Sequence, residues 1–340
     1  MTAALNRQIQ LVRIPDPGMP LDSDFKLAEI PAGRPAAGEV LLRTIYLSMD
    51  PYQRNWMAGI IAYGYRAEPG VPVVGRAVSE VLESQDPNFK KGDFVYGETG
   101  WQTQPTVKGS AIQTIDTSLG PISTSVGVLG SPGLTGYVGM VDVGRPRAGE
   151  TVVVSAAAGA VGSVAGQIAK IRGARVIGIA GSADKCRYAV DELGYDECLS
   201  HRSKDLPGDA ARACPQGVNV YFDNTGGAVT DAVFPLLQPQ SRVALCGLVA
   251  EYNTPEARGP NMKYILYNQA MIKAFSVREN LRRMEQYRKE ASAWMRAGKL
   301  KFREDILQGI ENTPAAFRGM LEGKNLGKQL VQVGDDPTRK

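Results

Sequence analysis

Val152-Val-Val-Ser-Ala-Ala-Ala-Gly-Ala-Val-Gly162 decides the fold. With Thr151 in front, it opens as a continuous apolar run, the pattern of a strand covered on both faces. Small residues then turn the chain, and Val161 to Ile171 carries a helical period. The next strand is Ala174-Arg-Val-Ile-Gly-Ile-Ala180. Working outward, Val218-Asn-Val-Tyr-Phe222, Arg242-Val-Ala-Leu-Cys246 and Met271-Ile-Lys-Ala-Phe275 read as further strands. Helical stretches at 183–193, 227–237 and 281–297 separate most of them. Such alternation predicts an α/β domain with a doubly wound parallel sheet. In the last helix Leu281, Met284, Tyr287, Ala291 and Trp294 share one face, the basic residues elsewhere form a solvated face, and Gly298 suits a C-cap.

Residues 1 to about 125 differ in texture. Glu39-Val-Leu-Leu-Arg-Thr-Ile-Tyr46 and Pro72-Val-Val-Gly-Arg-Ala-Val-Ser79 alternate with Pro/Gly turns, and Lys91-Gly-Asp-Phe-Val-Tyr96 reads as a turn entering a strand. No helix-length periodic segment is present, so this part is expected to be all-β. The closing Gly334-Asp-Asp-Pro-Thr-Arg-Lys340 reads as a loose tail.

A length of 340 residues suits about two domains at roughly 150 residues each. A net charge of +4 argues against a nucleic-acid binder and suits an anionic small ligand. Thr117 to Val141 and Thr151 to Ala169 carry no charge, but Gly, Pro and the strand–turn–helix pattern break them, so no membrane span is expected. The N-terminus shows no apolar signal core. Cys186, Cys198, Cys214 and Cys246 are dispersed, and His201 is the only histidine. That inventory offers little to build a zinc site from about four ligands. It suits a reducing cytosol, with the cysteines as small buried hydrophobes and no metal.

The turn after Ser155 has the form A-x-x-G-x-x-G, with Ala156, Gly159 and Gly162. Small residues there let the backbone approach a pyrophosphate, and the following helix N-terminus supplies N–H groups and partial positive charge. This reads as a dinucleotide site. An NAD-preferring site usually has an acid at the end of the second strand for the ribose 2′-OH. Here that strand ends Ile179-Ala-Gly-Ser182 and Lys185 follows, which favours a 2′-phosphate, hence NADP(H) over NAD(H). His201 and Arg202 could close the same pocket. Asp184 remains open as a displaced ribose ligand, and Lys185 as a merely solvated residue.

Further stretches carry a family resemblance. They are Tyr46-Leu-Ser-Met-Asp-Pro-Tyr52, Gly130-Ser-Pro-Gly-Leu-Thr135, Ala156-Ala-Ala-Gly-Ala-Val-Gly-Ser163, Phe222-Asp-Asn-Thr-Gly-Gly227, Cys246-Gly247 and Gly323-Lys-Asn-Leu-Gly-Lys328. Together and in order they resemble the zinc-independent medium-chain dehydrogenases/reductases. Within these the match is to the leukotriene B4 dehydrogenase, prostaglandin reductase and alkenal double-bond reductase group, including curcumin-reductase-like enzymes. The resemblance implies a GroES-like catalytic domain over 1–125, a Rossmann NADP-binding domain over 126–300, and a return to the catalytic domain over 301–340. It also implies a cytoplasmic homodimer that takes a small-molecule enal or enone.

By motif, the resemblance assigns cofactor contacts to Ala158, Gly159, Ala160, Val161, Gly162, Gly181, Lys185, Asn224, Cys246, Gly247 and Asn325, with Thr135 near the nicotinamide. His201 stands where the family has a tyrosine in its second phosphate-binding position. Tyr267, in Lys263-Tyr-Ile-Leu-Tyr267, matches the family's active-site tyrosine; Tyr52 and Tyr252 fall in motifs that line the cleft. Read from the residues alone, Tyr264 and Tyr267 are equally compatible with core packing. The zinc enzymes' Gly-His-Glu motif and Cys/His ligands have no counterpart in this sequence. Reduction of a C=C bond conjugated to a carbonyl is therefore expected over alcohol oxidation: hydride to the β-carbon, then protonation of the enolate. A quinone oxidoreductase and a non-catalytic NADPH-binding protein are the alternatives. Loops at 59–65 and 250–259 are expected to shape the substrate pocket.

Overall fold

A computed structural model describes residues 4–58, 67–254 and 259–339. Its contacts separate into two units, Met1–Gly127 with Glu304–Lys340, and Val128–Arg303.

The first unit is built on antiparallel strands. β1 (Leu5–Leu11) pairs with β2 (Phe25–Pro31). β3 (Glu39–Ser48), β4 (Arg76–Ser84), β5 (Phe94–Glu98) and β7 (Ile112–Thr114) follow one another across a larger sheet, and β6 (Thr106–Lys108) pairs with β3. The strand expected at 72–79 is displaced to 76–84. The physical reason is Pro72, which has no N–H for a ladder. Pro72 and Val73 instead meet β1, through a bridge to Gln10 and a Val73 N–H bond to the Ile9 carbonyl. A short helix, α1 (Tyr52–Met57), starts after Pro51, whose φ of −59° suits a helix entry.

The second unit contains α2 (Ser131–Val138), β8 (Thr151–Ser155), α3 (Gly162–Ile171), β9 (Arg175–Ala180), α4 (Ala183–Arg187), β10 (Glu197–Ser200), α5 (Leu206–Ala213), β11 (Val218–Asp223), α6 (Gly227–Val233), β12 (Leu237–Leu245), α7 (Lys263–Tyr267), β13 (Met271–Ala274) and α8 (Met284–Arg296). The six strands form one parallel sheet in the order β10-β9-β8-β11-β12-β13. That is the doubly wound order, and it reverses between β8 and β11. All of β8 is buried, as its apolar run requires. Helix α2 was not legible as a helix because its residues are rich in glycine. It forms by packing: a Cβ on Gly136 would stand 3.0 Å from the Ala165 nitrogen and the Val161 oxygen of the α3 region. Before α8, Arg278–Arg283 is a 3-10 turn, whose tighter period leaves Leu281 exposed while Met284, Tyr287 and Ala291 are buried.

The chain then re-enters the first unit. β14 (Glu304–Gln308), α9 (Thr313–Leu321) and β15 (Lys328–Gln332) complete the sheet, with β15 between β14 and β3. The expected loose tail is instead tied down. Tyr46 donates its phenol proton to the buried Asp336 carboxylate at 2.8 Å, and Arg339 pairs with Glu304 at 2.7 Å.

Candidate functional site

The carboxyl ends of β8 and β11 flank the point where strand order reverses, the usual place for a ligand in such sheets. After Ser155 the backbone turns through Ala156 at φ +50°, a left-handed conformation. The turn is closed by close approach. A Cβ on Gly162 would stand 2.3 Å from the Ala156 oxygen, and one on Gly159 would stand 3.2 Å from it. Only glycine fits the first of these positions, and the helix α3 begins there. Ala158 is buried, whereas Gly159, Ala160 and Val161 remain partly open.

Asn224, at the end of β11, spans the reversal. Its side-chain amide donates to the Ser155 carbonyl at 2.7 Å, and its backbone N–H donates to the Ser155 hydroxyl oxygen at 2.8 Å. The Cys246 thiol donates to the Asn224 side-chain oxygen at 2.8 Å, and burial pushes that thiol's pKa well up. Asp223 is buried and accepts from the Thr225 and Gly226 N–H groups, each at 2.9 Å, and from the Thr230 hydroxyl at 2.6 Å. A satisfied buried carboxylate of this kind rigidifies the turn into α6. Gly226 and Gly227 take φ +67° and +56°, and the Gly227 N–H donates to Glu251 at 2.9 Å. Gly247 lies against this group: a Cβ there would stand 3.2 Å from the Asn224 oxygen and 3.4 Å from the Tyr252 phenol oxygen. Ser155, Asp223 and Glu251 were not singled out from sequence, although Asp223 stands inside the Phe222–Gly227 motif.

A second group gathers at the ends of β9 and β10. A Cβ on Gly181 would stand 3.0 Å from His201 Nε2. Ser182 caps α4 by accepting the Lys185 N–H. Burial and then the charges of Arg202 and Lys185 hold the His201 imidazole below its ordinary pKa. His201, Arg202 and Lys185 therefore lie near one another at this end of the sheet, while Asp184 pairs with Arg187 on the exposed side of α4. Thr135 lies on α2 next to Gly136, which packs against Val161, and it donates to the Ser131 carbonyl at 2.8 Å.

Tyr267 does not join a core. It is 76% exposed at the end of α7, beside Leu266 at 73%, whereas Tyr264 and Ile265 pack on the core of the sheet. Tyr252 accepts the Leu248 N–H at 3.5 Å. The loop at 59–65 lies outside the described residues, and that at 250–259 is described only at 250–254 and at 259.

Tyr52 and Asn325 belong to the first unit. Asn325 donates to the Gly327 carbonyl at 2.8 Å, and the Arg76 guanidinium lies 5.4 Å from the centre of the Tyr52 ring. Close by, Lys328 donates to Asp50 at 2.8 Å, with both side chains buried. Burial alone would raise the Asp50 pKa, but the charges of Lys328 and Arg76 outweigh it and the net shift is downward. For Lys328 burial outweighs Asp50, and its pKa falls. Lys328 ends a quoted motif; nothing in the sequence pointed to Arg76.

The turn fits a dinucleotide: its small residues let the backbone approach a pyrophosphate, and Gly159, Ala160 and Val161 stay partly open just ahead of α3. A structural zinc does not fit. No grouping of metal-type ligands occurs among the described residues, and the lone histidine sits with Lys185 and Arg202. Among the described residues no helix is long and apolar enough to cross a membrane. The cysteines depart from the expected burial: Cys214 alone is buried, and Cys186, Cys198 and Cys246 are half-buried.

Fold and site together define a two-unit oxidoreductase architecture with a Rossmann-type sheet. Residues 7–115 match the family model described as the N-terminal domain of oxidoreductase, and residues 160–296 that described as zinc-binding dehydrogenase. The NADPH-dependent curcumin reductase of Escherichia coli (strain K12) is 42% identical over 94% of this chain and 95% of its own length. The 2-alkenal reductase (NADP(+)-dependent) of Nicotiana tabacum is 36% identical over 93% and 94%. The crystal structure of CurA in complex with NADPH from Vibrio vulnificus superposes with a TM-score of 0.92 at 40% identity, covering 97% of this chain and 100% of that one. The chain belongs to the zinc-independent medium-chain dehydrogenase/reductase family, in the group of curcumin, alkenal and prostaglandin reductases.

Proposed function

We propose that the chain is an NADPH-dependent reductase of C=C bonds conjugated to an aldehyde or ketone. The observation that carries the reading is the cluster of Lys185, His201 and Arg202 beside Gly181, next to the small-residue turn at the strand reversal. Gly159 to Gly162 would hold the pyrophosphate, Lys185 and His201 the 2′-phosphate, and Asn224, Cys246, Gly247 and Thr135 the remainder of the cofactor. When bound, the cofactor supplies a hydride to the β-carbon of the substrate.

The negative charge left on the substrate oxygen needs a donor. Tyr267 is the candidate, and Tyr52 and Tyr252 are the other tyrosines that the family motifs mark. A phenol is neutral at pH 7 with an ordinary pKa of about 10 and offers one directional O–H. Tyr267 is exposed in the single chain, so it becomes such a donor only when substrate or a second copy covers it. The proposed homodimer is supported by exposed Met262, Leu266, Tyr267 and Met271 beside the edge strand β13. A reducing cytoplasm suits the free cysteines.

The test is NADPH oxidation with 2-alkenals, enones, diarylheptanoid dienones and quinones, with the product identified by mass. Turnover to the saturated carbonyl is expected. Turnover with quinones alone would favour a quinone oxidoreductase, and tight NADPH binding without any turnover would favour a non-catalytic role.

A further inference from the structure

Tyr195, in the loop before β10, reaches the turn that opens α3. Gly162 and Gly166 are one helical turn apart and lie on the same face of α3, and Gly178 lies in β9. The Tyr195 ring fills the space that two of these glycines leave. A Cβ on Gly166 would run into the ring and its hydroxyl, and one on Gly178 would stand 3.1 Å from the ring carbon Cδ1. Tyr195 is 2% exposed, and its hydroxyl donates to the Gly162 carbonyl at 2.8 Å. Burial pushes the phenol pKa well above its ordinary value, so it stays a donor. The backbone that carries the ring is pinned. The Tyr195 N–H donates to the Ala189 carbonyl at 3.1 Å, and Asp196 accepts from the Val176 N–H at 2.7 Å and the Lys170 ammonium at 2.8 Å.

The Gly162 carbonyl and the Ser163 N–H belong to one planar peptide group. That N–H donates to the Gly159 carbonyl at 3.0 Å, and the Gly159 N–H donates to the Ala156 carbonyl at 2.9 Å. Three hydrogen bonds thus lead from the Tyr195 hydroxyl to Ala156, the left-handed residue of the turn. The next carbonyl along, that of Ser163, accepts from the buried Gln167 amide at 2.9 Å, so the first turn of α3 is held by two side chains. We propose that Tyr195 is a positioning residue of the cofactor site: its hydroxyl fixes the Gly162–Ser163 peptide group, and through it the turn from Ala156 to Gly162, in the form that takes a diphosphate. This rests on reading that turn as the pyrophosphate site. Glycine loses more conformational freedom on ordering than any other residue. A turn with glycines at 159 and 162 that is ordered beforehand spares the ligand that loss, so the hydroxyl acts by preorganisation.

The experiment compares the full chain with Tyr195→Phe, which keeps the ring in its space and removes one hydroxyl. Thermal melting checks folding, amide hydrogen exchange without ligand reads the turn, and fluorescence titration gives the affinities for NADPH and NADH. Exchange at the Gly159 and Ser163 amides should rise about fivefold or more, with β8 and β11 unchanged. Affinity for both cofactors should fall by the same factor, about three- to tenfold, because both carry the pyrophosphate. Exchange that is unchanged at the turn, or raised throughout the unit, overturns the proposal. So does a loss confined to NADPH, which would tie Tyr195 to the 2′-phosphate cluster instead. Faster exchange at the turn with both affinities kept overturns it at a different point. Tyr195 then holds the turn, and the reading of that turn as the pyrophosphate site is what fails.

Discussion

The side-chain amide of Asn224 donates to the backbone carbonyl of Ser155 at 2.7 Å, which ties the end of β11 to the end of β8 where the strand order reverses. The pair is buried, so the carbonyl has this amide in place of water. Asn224→Ala should destabilise the chain by about 1–3 kcal/mol, the usual cost of orphaning a buried polar group. Chemical denaturation measures this. An unchanged midpoint would mean that water replaces the amide.

Lys185→Ala should raise the KM for NADPH by one to two decades, about 1.4–2.8 kcal/mol of uniform binding, and leave the KM for NADH nearly unchanged. Steady-state kinetics with both cofactors separates the outcomes. An equal loss with both would assign Lys185 to the architecture of α4 and remove it from phosphate recognition.

Gly162→Ala puts a methyl group 2.3 Å from the Ala156 oxygen, so the turn must open. A stability loss of about 1–3 kcal/mol is expected, with NADPH binding lost alongside. Gly159→Ala, at 3.2 Å from the same oxygen, should be milder in both readouts. Equal losses at the two positions would contradict the geometry.

Lys328 and Asp50 make a buried ion pair. Lys328→Met alone leaves a buried carboxylate without its partner and should cost about 3–5 kcal/mol, most of it recovered in the double variant with Asp50→Leu. The pH dependence has a definite sign. The Asp50 pKa is lower in the folded chain than in the unfolded one. Its contribution is therefore present above the unfolded value of about 3.9 and is lost as pH falls through the folded value. Denaturant midpoints followed into acid should show this limb in the parent chain and lose it in Asp50→Asn.

Tyr267→Phe keeps the ring and removes one O–H. With 76% of the residue exposed, folding and NADPH affinity should hardly change. Loss of an oxyanion donor typically costs about 10²–10³ in kcat. Full activity in this variant would pass the role to Tyr52 or Tyr252.

The parallel sheet was legible because β8 must be apolar throughout and its turn must be small; both constraints are local. Helix α2 was not, because Gly136 costs helix propensity and is justified only by the close approach of α3. The strand at 76–84 was misplaced by its proline, since the partner of Val73 lies in β1, some sixty residues away in sequence. At the site, motif spacing marked Asn224, Lys185 and Lys328's segment. Arg76 carried no signal, because its surroundings of Asp50, Glu98 and Tyr52 come from distant stretches of chain. Tyr267's exposure was likewise invisible, since α7 is a single short turn without a periodic face.

The placement of β15 between β14 and β3 also sets a timetable. As the ribosome extends the chain, every strand of the Val128–Arg303 unit has emerged before β15 exists, and that unit is contiguous. The first unit has to wait with an open edge on β3 until β15 arrives, and Asp336 settles beside Tyr46 only after that. A stop codon ahead of β15 would therefore strike the amino-terminal sheet, nearly three hundred residues upstream of the lesion.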